Sequence, residues 1–216
     1  MEFTTDQVPQ KTPAHDAKEQ FLQSYEDRLN LWEALAVFVE NELKHLSKED
    51  PPVNAVYSHR VKSKESLAGK IEKRQALGEC LTLESIQQTR WDIAATRICL
   101  YFPCQSQSAK PFRGRDYIPK NLEHRPYQER MGYYEADHYW IRLRRDLVEG
   151  ISGYNGEEIE IQVRTMLMDA WAEVRHDLDY KHILGHPGED ELRVLDAIKG
   201  SITACEIMQD QLFMLR

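Results

Sequence analysis

Residues 158–164 read Glu-Ile-Glu-Ile-Gln-Val-Arg, and this short stretch decides the fold. Apolar and polar side chains alternate along it without a break. Because successive side chains of a β-strand point to opposite faces of the sheet, the stretch predicts a strand with one apolar and one polar face. The apolar face carries Ile159, Ile161 and Val163. The polar face carries Glu158, Glu160, Gln162 and Arg164.

Three further strands are predicted, and one of them is joined to residues 158–164 by turn residues. Residues 138–146 alternate in the same way, and Gly153 and Asn155-Gly156 supply turn residues before residue 158. These features predict an antiparallel hairpin. Residues 93–102 are rich in apolar and β-branched side chains, which is typical of an interior strand. Residues 53–62 also read as extended chain.

Helices are predicted around these strands from apolar spacing and capping residues. The first is an amphipathic helix of roughly 30 residues that begins at Thr12-Pro13. Ser63 is the expected N-cap of another. The four predicted helices cover residues 12–47, 63–77, 165–180 and 189–216. Residues 104–131 show no clear period, so we expect a long loop without regular structure. This order predicts an α/β (α+β) fold, with a mixed β-sheet flanked by helices.

Length and composition indicate one domain, residues 1–216. Within it we expect an N-terminal helix (12–47), a catalytic core (53–181) and a C-terminal helix (189–216). The net charge of −8 argues against a general nucleic-acid coat protein. No apolar run approaches about 18 residues, so no membrane span is predicted. The N-terminus lacks a signal-peptide core, and the four cysteines form no CxxC pair, so we expect reduced thiols and a cytoplasmic location. These cysteines are Cys80, Cys99, Cys104 and Cys205.

A first polar cluster lies where an extended segment meets a helix start. It consists of Arg60, Lys62, Lys64, Ser66 and Lys70. A helix N-terminus flanked by cations suits a phosphate group. A solvated basic surface is the alternative interpretation.

Two further clusters lie on the strands. Asp92 opens the strand at 93–102 and Arg97 lies near its middle, where the two could simply form a structural ion pair. The polar face of residues 158–164 could likewise be the hydrated side of a sheet. If the two strands are neighbours, however, Asp92 and Glu160 converge and repel unless a cation lies between them. Mg²⁺, held by carboxylates and substrate phosphates, is the usual solution, with Mn²⁺ as an alternative ion.

A fourth cluster combines cations with aromatic rings. It comprises Asp116-Tyr117-Ile118-Pro119-Lys120 and the segment from Tyr133 to His138. An aromatic ring can stack on a nucleobase, while Lys or His meets its phosphates. The alternative is a loop whose tyrosines pack onto the core.

Together these motifs resemble the synthetase domain of the RelA/SpoT family, and most closely its small, single-domain alarmone synthetases. The matching pieces, in order, are Arg60-Val61-Lys62 with Ser66 and Lys70, Asp92 to Arg97, Asp116 to Lys120, Glu160 to Thr165, Trp171-Ala172, His176 and Tyr180-Lys181. The resemblance implies a mixed sheet of about five strands, related to nucleotidyltransferases. It also implies transfer of the β,γ-pyrophosphate of ATP to the 3′-hydroxyl of GDP or GTP.

The resemblance implies a role for each matched residue. Asp92 and Glu160 would hold Mg²⁺, or Glu160 would act as general base. Arg60 and Arg97 would sandwich the adenine. The ATP phosphates would be bound by Lys62, Ser66 and Lys70. On the acceptor side, Lys120 and His138 would meet phosphates and Tyr134 would stack on the base. Gln162, Arg164 and Asp169 complete the acceptor-side set.

The departures from the family pattern keep other functions open. Ala95 replaces a glycine, Arg175 stands where a glutamate is usual, and the segment Tyr133 to His138 fits its motif poorly. The same donor chemistry on an adenosine nucleotide or a tRNA 3′ end is one alternative. A non-catalytic nucleotide-binding protein is another. The apolar faces of the first and last helices form either core or a homo-oligomer interface.

Overall fold

The computed structural model describes residues 13–48, 53–79, 81–88, 91–106, 117–124, 136–180 and 188–215. For residues 13–16, 87–88, 117–124 and 179–180 it describes the backbone only. The helices are α1 (Pro13–Asp27), α2 (Leu29–Leu46), α3 (Lys64–Ala76), α4 (Leu83–Gln88), α5 (Met166–Tyr180) and α6 (Glu189–Met214). The strands are β1 (Ala55–Val61), β2 (Ala94–Leu100), β3 (Tyr117–His124), β4 (Asp137–Leu143) and β5 (Glu158–Thr165). Within these ranges, no helix is both long and apolar enough to cross a membrane.

The strands form one mixed sheet in the order β1-β2-β5-β4-β3. Strands β2 and β5 are parallel, and the other neighbours are antiparallel. The predicted class, a mixed sheet flanked by helices, is confirmed. The hairpin of β4 and β5 is confirmed too, as is the neighbouring position of the strands that follow Asp92 and contain Glu160.

The prediction of no regular structure between residues 104 and 131 is wrong, because β3 lies there. Strand β3 contains Pro119, and its pairing with β4 shifts register between Pro119 and Asn121. The shift breaks the period of two that identifies a strand in a sequence. Proline is tolerated here because β3 is at the edge of the sheet, where one side of the backbone needs no strand partner.

The prediction of a single long helix at the N-terminus is also wrong, because the helix is interrupted at Arg28, between α1 and α2. The backbone N–H of Arg28 bonds to the carbonyl of Tyr25, and its guanidinium pairs with Glu157 in the loop before β5. The apolar spacing continues across this break, so periodicity alone could not detect it. Helix α4 was not predicted, because its six residues are too short to show a period.

The main core lies on the apolar face of the sheet, beneath α1 to α4. Leu35, Val39 and Leu43 of α2 are almost completely buried. The Thr96 hydroxyl of β2 donates to the Ala36 carbonyl at 3.4 Å, and Trp91 packs on Phe21. The apolar stripe of the first helical region is therefore core. On α6, Leu195 is buried, whereas many other apolar residues are exposed, among them Ile198, Ile207, Met208 and Leu212.

Candidate active site

The polar face of the sheet, opposite the main core, gathers most of the residues singled out in the sequence. Paired residues on adjacent strands share a face of a sheet. One row across the sheet pairs Arg60, Ala95, Glu160 and Trp140. The next row pairs Ser58, Arg97, Gln162 and His138. Cys99 and Arg164 begin a third row. Four strands, β1, β2, β5 and β4, thus present charged and polar groups to one surface.

This polar face is not the hydrated side of the sheet. Glu160 is 3% exposed, and Gln162 and Arg164 are each 6% exposed. Burying a charged group is costly unless partners compensate it. The Glu160 carboxylate has two partners, since His138 Nδ1 lies 2.6 Å from Oε1 and the Gln162 amide donates to Oε2 at 2.8 Å. Glu160 is therefore held in a fixed orientation.

Asp92 lies just before β2 in an unusual backbone conformation. Its φ is 50°, in the left-handed region, which aspartate enters more readily than most residues. The preceding Trp91 is buried in the core. Asp92 Oδ2 accepts from Lys70 Nζ at 2.8 Å and has Lys62 Nζ at 3.7 Å. The ion pair with Arg97 that the sequence allowed is replaced by these two lysine contacts.

Opposing effects set the pKa of Asp92. Burial by itself would raise the pKa of this carboxyl. The hydrogen bond from Lys70, with the charges of Lys70, Lys62 and Arg60, outweighs burial and holds the pKa below its ordinary value. Asp92 is thus an anion fixed among cations, the form that a divalent cation or a lysine can bind.

Lys62 is the most perturbed cation of the site. Burial, followed by repulsion from Lys70, lowers the pKa of Lys62 to about 8, although Asp92 opposes the shift. Its ammonium donates to the Trp91 carbonyl at 2.7 Å, and its backbone N–H bonds to the Ile93 carbonyl at 2.8 Å. Both contacts fix Lys62 next to the turn at Asp92.

The start of α3 is capped as the sequence predicts. The Ser63 hydroxyl accepts from the Ser66 backbone N–H at 3.2 Å. Ser66 is exposed on the first turn, and Lys70 follows four residues later on the same side. The N-terminus of α3 therefore presents a hydroxyl and a lysine beside Asp92, an arrangement suited to an anion.

Two arginines flank the middle of this face. Arg60 is opposite Ala95 while Arg97 is opposite Ser58, so they are diagonal neighbours on adjacent strands. Burial, followed by repulsion from Arg97, lowers the pKa of Arg60. Arg97 Nη1 donates to Glu173 Oε1 on α5 at 2.8 Å.

A second ion-pair group lies where β5 leads into α5. The Arg164 guanidinium pairs with Asp169 and has Glu173 at 3.6 Å, while Asp169 is also 3.8 Å from Arg97. Two arginines therefore face two carboxylates one helical turn apart. Glu173 was missed in the sequence, although its spacing of four residues from Asp169 is a signal that the two share a helix face.

The remaining predicted site residues fall at the edge of what is described. Lys120 lies on β3, where only the backbone is described, and Tyr134 lies outside the described residues. His138 is buried against Glu160 and stacks on Trp140, with ring centroids 5.9 Å apart. Trp140 is a second residue of this face that the sequence analysis did not single out. Its place in the alternating pattern shows on which face it lies, but not that the polar face is buried.

The carboxylates of Asp92 and Glu160 would hold a divalent cation only if a nucleotide supplied further ligands. The negative charges of Asp92 and Glu160 each raise the pKa of the same two cations, Arg60 and Lys62. No group of three or more His, Cys, Asp or Glu among the described residues could hold a metal. Mg²⁺ is usually bound by one or two carboxylates together with phosphate oxygens. A Mg²⁺ ion at Asp92 and Glu160 would therefore need phosphate oxygens of a bound nucleotide as further ligands.

Carboxylates among lysines and arginines, beside a helix N-terminus on a mixed sheet, form an arrangement suited to a ligand that carries phosphate groups. The sequence profile described as "Region found in RelA / SpoT proteins" matches residues 59–184, more than half of the chain. The chain belongs to the RelA/SpoT family.

Individual relatives agree with this assignment. The chain is 23% identical over 187 residues to GTP pyrophosphokinase YjbM of Bacillus subtilis, covering 83% of this chain and 87% of the relative. The crystal structure of small alarmone synthetase 1 from Bacillus subtilis superposes with a TM-score of 0.72 at 23% identity, covering 88% of this chain and 95% of that one. A crystal structure of the same synthetase bound to its product pppGpp gives a TM-score of 0.71 at 22% identity, covering 88% and 96%. The structural likeness establishes a shared fold.

Proposed function

We propose that this protein transfers the β,γ-pyrophosphate of ATP to the 3′-hydroxyl of GDP or GTP. The products are AMP and a (p)ppGpp-type alarmone. One observation carries the proposal: Asp92 is held by Lys62 and Lys70 just before β2, and Glu160 lies on β5, the parallel neighbour of β2. The relatives named GTP pyrophosphokinase and small alarmone synthetase support the same reaction.

The donor end of the proposed site would bind the triphosphate of ATP. Lys62, Ser66 and Lys70 offer two ammonium groups and a hydroxyl to the phosphates. A bound phosphate would stabilise the ammonium form of Lys62, whose pKa burial lowers in its absence. Phosphoryl-type transfer relies on positioning and on cations that face developing negative charge, and this end supplies both.

The base of ATP would lie between Arg60 and Arg97. Diagonal positions on adjacent strands are about 7–8 Å apart, roughly twice the 3.5–4.0 Å contact distance between carbon atoms. This backbone spacing leaves room for one planar ring when the two guanidinium groups lie parallel to each other. Stacking of arginine on an aromatic face is favourable and needs no particular hydrogen-bond pattern.

The reacting end would be centred on Glu160. His138 and Gln162 hold both oxygens of this carboxylate, so it can accept the proton of the attacking 3′-hydroxyl or help hold a metal ion without rearranging. A Mg²⁺ ion held by Asp92, Glu160 and phosphate oxygens would neutralise charge on the transferred group. Gln162, Arg164 and Asp169 continue toward α5, where we place the acceptor base, with Lys120 and Tyr134 as further acceptor contacts.

Product identification tests the proposal directly. The protein would be incubated with labelled ATP, Mg²⁺ and, in separate reactions, GDP, GTP, an adenosine nucleotide or tRNA, and the products identified by mass spectrometry. We expect AMP and a 3′-pyrophosphorylated guanosine nucleotide. If products form only with the adenosine nucleotide or with tRNA, the proposal of a guanosine acceptor is wrong, while the proposal of pyrophosphate transfer from ATP stands. A tRNA acceptor would also show strong salt dependence.

The non-catalytic alternative has a separate signature. If a non-hydrolysable ATP analogue binds, but no acceptor yields AMP, the protein is a nucleotide-binding member of the family. Substituting Asp92 and Glu160 would then leave its behaviour in cells unchanged. Under our proposal, either substitution abolishes alarmone formation.

A further inference from the structure

Arg97, one wall of the proposed adenine site, is held mainly by Glu173 of α5. Arg97 Nη1 donates to Glu173 Oε1 at 2.8 Å, whereas Asp169 Oδ1 is 3.8 Å away. The Arg97 Nε is buried and has no hydrogen-bond partner among the residues that the structure describes. One corner of the guanidinium is therefore anchored, and the anchor comes from a residue 76 positions away in the chain.

This anchor offsets a repulsion built into the site. Arg60 and Arg97 carry like charges on neighbouring strands, and after burial the charge of Arg97 is the next largest cause of the lowered pKa of Arg60. Without a counter-charge, this repulsion would favour rotation of the Arg97 side chain, which is 21% exposed, away from Arg60. Asp169 cannot fully replace Glu173, since its nearer partner is Arg164.

We infer that Glu173 is a positioning residue for donor binding, acting through Arg97. It holds the guanidinium beside Arg60 so that a flat cleft exists before ATP arrives. Such preorganisation raises affinity because the ordering is done before binding. The inference rests on the proposed function, and it adds a residue that touches the arginine rather than the nucleotide.

The test uses the isosteric change Glu173→Gln, which removes the charge and keeps the shape. Binding of a non-hydrolysable ATP analogue with Mg²⁺ would be measured by calorimetry, alongside steady-state kinetics. We expect affinity to fall roughly two- to fivefold, the range for a partly exposed ion pair. The KM for ATP should rise by the same factor, with kcat within about twofold of the wild-type value, because Glu173 does not contact the reacting atoms.

Salt and matched variants separate positioning from general destabilisation. Because Glu173 is 56% exposed, the loss should shrink in high salt, which screens the wild-type ion pair. Glu173→Asp, which keeps the charge, should recover part of the affinity. Glu189→Gln, the same chemical change at an 89% exposed position on α6, should bind like the wild type.

A double-variant cycle tests the route through Arg97. If Glu173 acts on the nucleotide only by way of Arg97, Glu173→Gln should have no further effect in an Arg97→Gln background. Wild-type affinity in the Glu173→Gln variant, or an equal loss in both backgrounds, would overturn the inference. A wild-type protein that neither binds the analogue nor forms product would instead overturn the proposed function.

Discussion

Replacing Asp92 by asparagine separates the charge of this residue from its backbone conformation. Asp92 has a φ of 50°, and asparagine, like aspartate, enters the left-handed region at little cost. Alanine would add about 1–2 kcal/mol of strain at the same position. Asp92→Asn should therefore keep the turn after Trp91 intact while it removes the anion beside Lys62 and Lys70.

The two expected effects differ greatly in size. The contacts of Asp92 with Lys62 and Lys70 are partly exposed, so their loss should cost about 1 kcal/mol of folding stability, or about 2–4 °C in Tm for a chain of this length. Loss of one group that supports developing charge typically costs about 2.7–4 kcal/mol of transition-state stabilisation. We therefore expect kcat/KM for pyrophosphate transfer to fall by a factor of about 10²–10³.

The assay combines product quantification with thermal unfolding of the same samples. Asp190→Asn, at a 94% exposed position on α6, is the matched control and should change neither. Asp92→Ala should unfold at a lower temperature than Asp92→Asn if the left-handed backbone matters. If Asp92→Asn keeps more than about a tenth of the wild-type kcat/KM, Asp92 does not have the proposed role, because a group that supports developing charge is worth more than tenfold.

Three further outcomes follow from other parts of the structure. The hydrogen bond to Glu40, with a further one to Glu33, raises the pKa of His59 above 6.5 against the opposing effect of burial. The stabilisation from these His59 contacts is therefore fully present below pH 6.5 and is lost as the pH rises through the higher pKa of the folded state. Urea denaturation at several pH values should show this loss of stability, and His59→Gln should abolish the pH dependence. Leu35→Ala removes a fully buried side chain and should lower the free energy of unfolding by about 2–5 kcal/mol, a prediction that a loss under 1 kcal/mol would contradict. Tyr134→Ala should raise the KM for the guanosine acceptor and leave that for ATP unchanged, whereas equal changes in both would remove Tyr134 from the acceptor site.

Much of the geometry of the proposed donor site was predictable because its parts are local. The Ser63 cap, the spacing of Ser66 and Lys70 on one helical face, and the alternation around Glu160 each depend on residues a few positions apart. The neighbouring position of the strands bearing Asp92 and Glu160 was a conditional prediction, and the parallel pairing of β2 with β5 confirms it. The roles of the donor-side and acceptor-side residues stay predictions, and Tyr134 lies outside the described residues.

By itself, the sequence determined most of the strands and helices that show a clear period, the turn of the β4–β5 hairpin and the cap of α3. Within a helix or strand, buried and exposed side chains repeat at a fixed spacing, and this repeat can be seen in the sequence. Tertiary structure alone decided the break at Arg28, the edge strand β3, the buried polar face and the contact between Arg97 and Glu173. Each of these depends on groups brought together from distant parts of the chain, where a guanidinium or a carboxylate finds its partner only after the sheet has formed.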